Sequence, residues 1–295
     1  MMGSSVSTAS RFDKFRSNLS LTEAQKAAGR QSRESVVRAM NNYCLGLNDA
    51  TKNSIFVGSW AKYTRIRPPR DVDVLYILSS EVRLRFDKRT GNKQSQLLQD
   101  VRQCLLAAFP NTAIRGDGPV VLVPFTAYNV ELVPAFINSY AGFDIPITTG
   151  GGSYKRVDYI AEADQIAASD AATNGNTREL VRMMKCWQRY CSVQLKSYYI
   201  ELLAIGFLQT WEYREKSSVY YDYMVRDFLA YLVARKDSYL YSPGTYERMA
   251  LGSLWLSKAE TAQLRAKKAC DNETMNEVVA AEVWRKVFGS DYPSS

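Results

Sequence analysis

Two aspartates one residue apart, Asp71 and Asp73, stand in the run D-V-D-V-L-Y-I-L. On a strand, residues two apart point to the same face. Two like charges on one face repel and lose solvation unless a cation sits between them. Hard divalent ions such as Mg²⁺ favour this all-oxygen, carboxylate-rich surrounding. Upstream, Gly58-Ser59 opens a short helix-compatible stretch, with eleven residues between Ser59 and Asp71. Such a turn offers free backbone N–H groups and a small hydroxyl, which suit a triphosphate. An anion cradle beside a metal-binding carboxylate pair is the equipment for nucleotidyl transfer. A third acid, Glu131, lies in V-E-L-V-P-A-F. If its strand neighbours that of Asp71 and Asp73, the three acids converge.

These groups need a sheet and something behind it. Ser54–Val57, Asp71–Leu78, Pro119–Phe125 and Ala127–Val133 read as strands, rich in β-branched and aromatic residues. Pro124 argues for an edge or a bulge. Pro68-Pro69 forbids helix and re-aims the chain into the Asp71 strand. Residues 6–18 suggest a short helix. Leu21–Leu45 suggests a longer one, capped by Thr22 and ended at Asn48-Asp49. Its apolar positions are Ala24, Ala28, Val36, Val37, Met40 and Tyr43, and it would pack behind the sheet as a spine. Gln94–Phe109 is amphipathic. Asn138–Asn176 looks least regular, and T-T-G-G-G-S (148–153) reads as a mobile loop. From Thr177 the pattern is helical almost to the end. A mixed half and a helical half imply two lobes with a cleft between them.

In Thr177–Gln194, Leu180, Met183, Met184, Trp187 and Cys191 form one stripe, and Arg178, Arg182, Lys185 and Arg189 share another face. For Arg178 and Arg189 a solvated face and a phosphate-binding face are both open readings. Ser197 is a candidate helix N-cap with amides facing an anion. Tyr198 offers a flat face for a base, or a place in the core. Glu201 reads as structural, holding its helix or a nearby basic group. The tyrosines from Tyr213 to Tyr241 read as lobe packing.

Bulk properties narrow the options. The chain has 295 residues, 46% of them hydrophobic, enough for a sizeable core. With 38 Lys+Arg against 30 Asp+Glu, the net charge is +8, which favours polyanionic partners such as triphosphates or nucleic acid. There is no histidine, which excludes His-dependent catalysis. Five scattered cysteines do not form a disulfide framework, and Cys186 and Cys191 read as ordinary thiols. No apolar run approaches the ~20 residues that span a bilayer. The polar N-terminus lacks a secretory core, so a cytoplasmic protein with no membrane role is expected.

On Gly58, Ser59, Thr64, Asp71, Asp73, Glu131 with its following L-V-P-A-F, and the segments around Lys185 and Ser197-Tyr198, the chain resembles the polymerase-β-like nucleotidyltransferases. The resemblance runs from Ser54 to Trp211. Within that superfamily it is similar to the bacterial cGAS/DncV-like enzymes (CD-NTases), close to the oligoadenylate synthase and cyclic GMP-AMP synthase branch. It departs from the pattern in carrying Glu rather than the commoner Asp as third acid, and it lacks the His/Cys zinc insertion of animal cyclic GMP-AMP synthase.

The resemblance implies an α+β fold: a nucleotidyltransferase lobe, with a mixed sheet and a long spine helix, packed on a helical C-terminal lobe. The expected division is 1–145 and 146–295. Asp71, Asp73 and Glu131 would be catalytic and hold two Mg²⁺ ions, with Mn²⁺ as a substitute. Gly58, Ser59, Lys185, Ser197 and Tyr198 would bind nucleotide, Lys185 and Ser197 at phosphate and Tyr198 on the donor base. The implied reaction makes a cyclic or linear oligonucleotide second messenger from nucleoside triphosphates such as ATP and GTP. In bacterial anti-phage signalling that product acts on a separate effector protein, with room for a regulatory protein or RNA. Alternative readings are a template-independent RNA polymerase of poly(A)- or CCA-adding type and a catalytically silent nucleotide sensor.

Overall fold

The computed structural model describes residues 7–294, so Val6, where the first helix was expected to begin, lies outside it. Helix α1 (Thr8–Leu19) starts on Ser7, whose side chain accepts from the Ser10 amide. The spine α2 (Glu23–Leu45) opens with a full capping box: Thr22 accepts from the Gln25 amide, and the Gln25 side chain accepts from the Thr22 amide. It stops at Gly46 rather than at Asn48-Asp49. Its inner face carries Val36, Val37 and Met40, as expected, but Ala24 and Tyr43 are exposed. Gly29, Ser32 and Asn41 take inner positions instead.

Strand β1 (Ser54–Phe56), helix α3 (Gly58–Lys62) and strand β2 (Asp71–Ile77) follow. Helix α4 (Ser80–Asp87), which the sequence reading did not include, precedes α5 (Lys93–Ala108). Then come β3 (Arg115–Asp117), β4 (Val120–Pro124), β5 (Asn129–Ile137), β6 (Phe143–Ile147) and β7 (Ser153–Val157). The sheet runs β1-β2-β5-β4-β3, with β6 on the far end of β5 and β7 on β6. Among the described residues only β2 and β5 pair in parallel; every other pair in the sheet is antiparallel. Pro124 lies past the stretch of β4 that β3 covers, so no ladder bond there is lost.

The remaining elements are α6 (Tyr159–Ala172), α7 (Asn176–Tyr190), α8 (Ser197–Leu208), α9 (Tyr221–Val233), the hairpin β8 (Tyr239–Tyr241) and β9 (Arg248–Ala250), α10 (Leu256–Asn272) and α11 (Glu277–Phe288). Residues 138–176 are therefore largely regular. The glycine-rich loop is the turn of the β6–β7 hairpin.

Alternation within β2 and β5 decides what each face does. Val72, Val74, Val130 and Leu132 are buried against Val36, Val37 and Met40 of α2 and Leu97, Leu98 and Val101 of α5. Each large aliphatic side chain buried there contributes about 1.5–3 kcal/mol. The opposite face carries the acids and continues as a small apolar cluster of Leu75, Val133, Phe143 and Ile145. A separate core joins α7–α11, and α1 belongs to it: Phe12 packs edge-on against Trp284 at 5.3 Å and Tyr292 at 5.2 Å. Residue 145 lies inside β6, and β7 carries the same sheet on to Val157.

Candidate functional site

Asp73 sits directly opposite Glu131 on the parallel β2–β5 pair, and Asp71 opposite Asn129. In a parallel ladder, residues in register share a face, so Asp71, Asp73 and Glu131 do as well. Asn129 donates to Asp71 Oδ1 at 3.0 Å, which fixes that carboxylate along the strand.

Gly58, at φ +55, holds a backbone conformation that side chains resist. An added Cβ there would meet Asp73 Oδ2 at 2.2 Å. The glycine thus lets the turn close onto the aspartate, and the Ser59 amide lies near enough to favour its charged form. Trp60 fastens the turn behind. Its indole N–H donates to the Asp71 carbonyl at 2.9 Å, and its ring occupies a notch at Gly29 of the spine, where a Cβ would meet a ring carbon at 2.2 Å.

Burial and the neighbouring Asp71 push the Asp73 carboxyl up to about 6. Burial, then Asp73 and Asp71, push Glu131 up to about 7. Among the described residues no three carboxylate or thiol groups already converge on one point, so the acids share a face without meeting. The donor set, oxygen-only and short of positive charge, fits a hard divalent ion.

A cleft of about 490 Å³ opens in front of this face, with Gly58, Ser59, Asp71 and Asp73 on one side and Lys185, Ser197, Tyr198 and Glu201 on the other. Glu131 stands on the adjoining strand outside the lining. Lys185 is buried and donates to Thr64 Oγ1 at 2.8 Å and Glu201 Oε1 at 2.7 Å. Glu201 is the structural anchor expected of it, holding Lys62 through Oε2 at 2.9 Å as well. Lys62 also donates to Glu162 at 2.7 Å and lies 4.6 Å above the Tyr198 ring. Lys185 and Lys62 outweigh the burial that would raise Glu201, and its carboxyl falls to about 2. Burial, and to a smaller extent the neighbouring Lys62 ammonium, lower Lys185 against the pull of Glu201.

Ser197 is the first residue of α8 and not its N-cap, a position held by Lys196; its hydroxyl donates to Gln188 Oε1 at 2.8 Å. Of the tyrosines past α8, Tyr221 is buried and Tyr220 and Tyr231 pack against the helical core, whereas Tyr213, Tyr223, Tyr239 and Tyr241 are exposed and do not pack as expected. The basic stripe of α7 is not a solvated face. Arg178 donates to the Lys62 carbonyl at 3.0 Å, Arg182 to Tyr63 at 2.8 Å and Arg189 to Arg67 at 2.7 Å. These arginines seat the 62–68 segment that joins α3 to β2. Burial pushes the Cys186 thiol up, and the five cysteines are free.

Lys62 and Glu162 were missed by sequence reading. Lys62 lies three residues past Ser59, a position that signals little by itself, and its carboxylate partners lie far along the chain.

Comparison with known proteins matches residues 6–169 to the Second Messenger Oligonucleotide or Dinucleotide Synthetase domain. A probable cyclic nucleotide synthase of Bacillus cereus (strain VD146) is 23% identical over 97% of each chain. Among solved structures, E. coli MS115-1 CdnC with ATP superposes with a TM-score of 0.72 at 19% identity, covering 98% of this chain and 99% of that one. CdnC in complex with HORMA-deltaN gives a TM-score of 0.75 at 19% identity, covering 97% and 98%. Vibrio cholerae DncV in its apo form gives 0.70 at 13% identity, covering 96% of each chain. These likenesses share the mixed sheet, the long N-terminal helix and the helical C-terminal region. No helix among the described residues is long and apolar enough to cross a membrane.

Proposed function

This chain belongs to the Second Messenger Oligonucleotide or Dinucleotide Synthetase family, and we propose how its cleft carries out the family's reaction. It is a nucleotidyltransferase that makes cyclic nucleotide messengers from nucleoside triphosphates. The Gly58-Ser59 turn receives the donor's phosphates, with Lys185 and Ser197 approaching them from the helical side. Lys185 suits the task because its charge is only partly answered by a shared Glu201. Tyr198 stacks on the donor base, a contact that tolerates any base because each has a π-face. Asp71, Asp73 and Glu131 hold divalent cations, Mg²⁺ with Mn²⁺ as a substitute. Bound there, the cations supply charge neutralisation at the α-phosphate and a lowered pKa for the attacking ribose hydroxyl. The protein's own work is positioning: Asn129 and the Ser59 amide orient Asp71 and Asp73, and the α7 arginines hold the segment that sets the turn against them.

The observation supporting this reading is the common face of Asp71, Asp73 and Glu131, with the Gly58 turn closed onto Asp73. The product is proposed to act on a separate effector in anti-phage defence. The complex of the similar CdnC with HORMA-deltaN suggests a protein regulator for this chain too. The test is incubation with all four triphosphates and Mg²⁺, followed by mass spectrometry. Short phosphatase-resistant products support the reading. Ladders on added RNA would assign an RNA polymerase instead, and no turnover with either Mg²⁺ or Mn²⁺ would leave a nucleotide sensor.

A further inference from the structure

The β8–β9 hairpin lies in the helical half of the sequence, yet its tip is fastened to the sheet. Arg156 donates to the Gly244 carbonyl at 3.2 Å, and Lys155 pairs with Glu247 at 2.8 Å. Gly244 comes so close to Asp158 that a Cβ would meet Oδ2 at 2.4 Å. The same tip carries Ser242, which is buried. The backbone of Ser242 is already committed, its N–H to Glu247 at 3.0 Å and its carbonyl to the Tyr246 amide at 2.8 Å. Its hydroxyl lies 2.8 Å from the Tyr198 hydroxyl. Tyr198 is thus held at both ends, its backbone in the first turn of α8 and its phenol at a hairpin tip seated on β7.

We propose that Ser242 is a positioning residue for donor binding: its hydroxyl, delivered by the β8–β9 tip, fixes the plane of the Tyr198 ring against which the base lies. This rests on the reading that Tyr198 stacks on the donor base. A stacking surface contributes in full only when its plane is set before the base arrives, because ordering a free ring on binding offsets part of the gain. The contacts of Lys155, Arg156 and Asp158 seat the tip on the sheet side, so the ring is aligned through the same contacts that join the hairpin to β7.

The test is donor KM and kcat for Ser242→Ala, Tyr198→Phe, their double variant, Ser242→Thr and Tyr198→Ala, with thermal melting of each as a folding check. Losing one hydrogen bond between neutral hydroxyls should raise the donor KM by about three- to tenfold in Ser242→Ala and in Tyr198→Phe, with little change in kcat. The double variant should be no worse than either single one, since both remove the same bond. Ser242→Thr, which keeps the hydroxyl, should restore the wild-type KM. Wild-type KM in Ser242→Ala and Tyr198→Phe, with Tyr198→Ala impaired, overturns the positioning role and leaves stacking in place. Fully additive effects in the double variant also overturn it. Wild-type KM in Tyr198→Ala removes the stacking reading itself.

Discussion

Lys185 places its ammonium 2.7 Å from Glu201, and Glu201 gives its other oxygen to Lys62 at 2.9 Å. One buried carboxylate therefore links the turn that faces the acids with the helices that face the turn. Removing one partner of a buried ion pair costs far more than the pair contributes, because a charge is left unanswered. Glu201→Gln should destabilise the protein by about 3–5 kcal/mol at neutral pH, measured by denaturant unfolding. The folded carboxyl, at about 2, lies below its ordinary 4.5. Its stabilisation is therefore complete above pH 4.5 and lost as pH falls toward 2, and the gap between wild type and variant should close over that window. A constant gap across it would refute the assignment.

Asp71→Asn/Asp73→Asn should abolish product formation while the fold persists. The loss should be on the order of a hundredfold or more, the scale seen when an electrostatic stabiliser of a transition state is removed. Comparable turnover in the double variant would remove these aspartates from the mechanism.

Metal-free stability supplies an independent check. Asp73 folds with its carboxyl raised from 3.8 to about 6. A raised acid favours folding below its unfolded pKa and loses that contribution as pH rises through its folded pKa. With chelator present, the wild type should lose roughly 2 kcal/mol from this group between pH 4 and 7. Asp73→Asn should then melt higher than wild type at pH 7.5 and not at pH 4. Equal melting at both pH values would mean that neither burial nor Asp71 penalises the ionised Asp73 carboxyl in the folded protein.

Glu131→Gln should suppress turnover more than triphosphate binding, since Asp71 and Asp73 remain in the cleft lining and Glu131 stands outside it. Single-turnover rates and calorimetry on the same variant separate the two effects. Wild-type kinetics would show that register with Asp73 has no catalytic meaning.

Lys185→Ala and Tyr198→Ala should each weaken binding of a non-hydrolysable triphosphate by about tenfold, whichever base it carries, because phosphate and stacking contacts hold little base identity. Calorimetry with adenine and guanine analogues tests this. Unchanged affinity in both variants, with folding confirmed, would confine the nucleotide site to the sheet half.

Much of the site was legible in the chain because it rests on local patterns. Alternation in D-V-D-V and V-E-L puts the acids on one face and Val72, Val74, Val130 and Leu132 on the other, and Thr22 announces its helix through Gln25. What stayed hidden depends on distant partners or weak local signals. Helix α4 is mostly charged and polar, with Phe86 alone buried, so it shows little apolar period. The β6–β7 strands lie beside a glycine-rich turn that masked them. Arg178, Arg182 and Arg189 look like a wet face because the carbonyls they hold lie more than a hundred residues upstream, although each also pairs with a carboxylate, Asp170, Glu179 and Asp291 in turn. Lys62 gains its meaning from Glu162 and Glu201, which no periodicity connects to it.

The indole of Trp60, lodged at Gly29, carries an evolutionary consequence. Any side chain at position 29 would displace the ring, and with it the turn that sets Gly58 against Asp73. The two positions cannot drift separately. A lineage that enlarges residue 29 must shrink residue 60 in the same step or pass through an ancestor whose phosphate turn is out of place. Among relatives that keep the turn, tryptophan at 60 should therefore travel with glycine at 29, and a larger residue at 29 should mark a smaller one at 60.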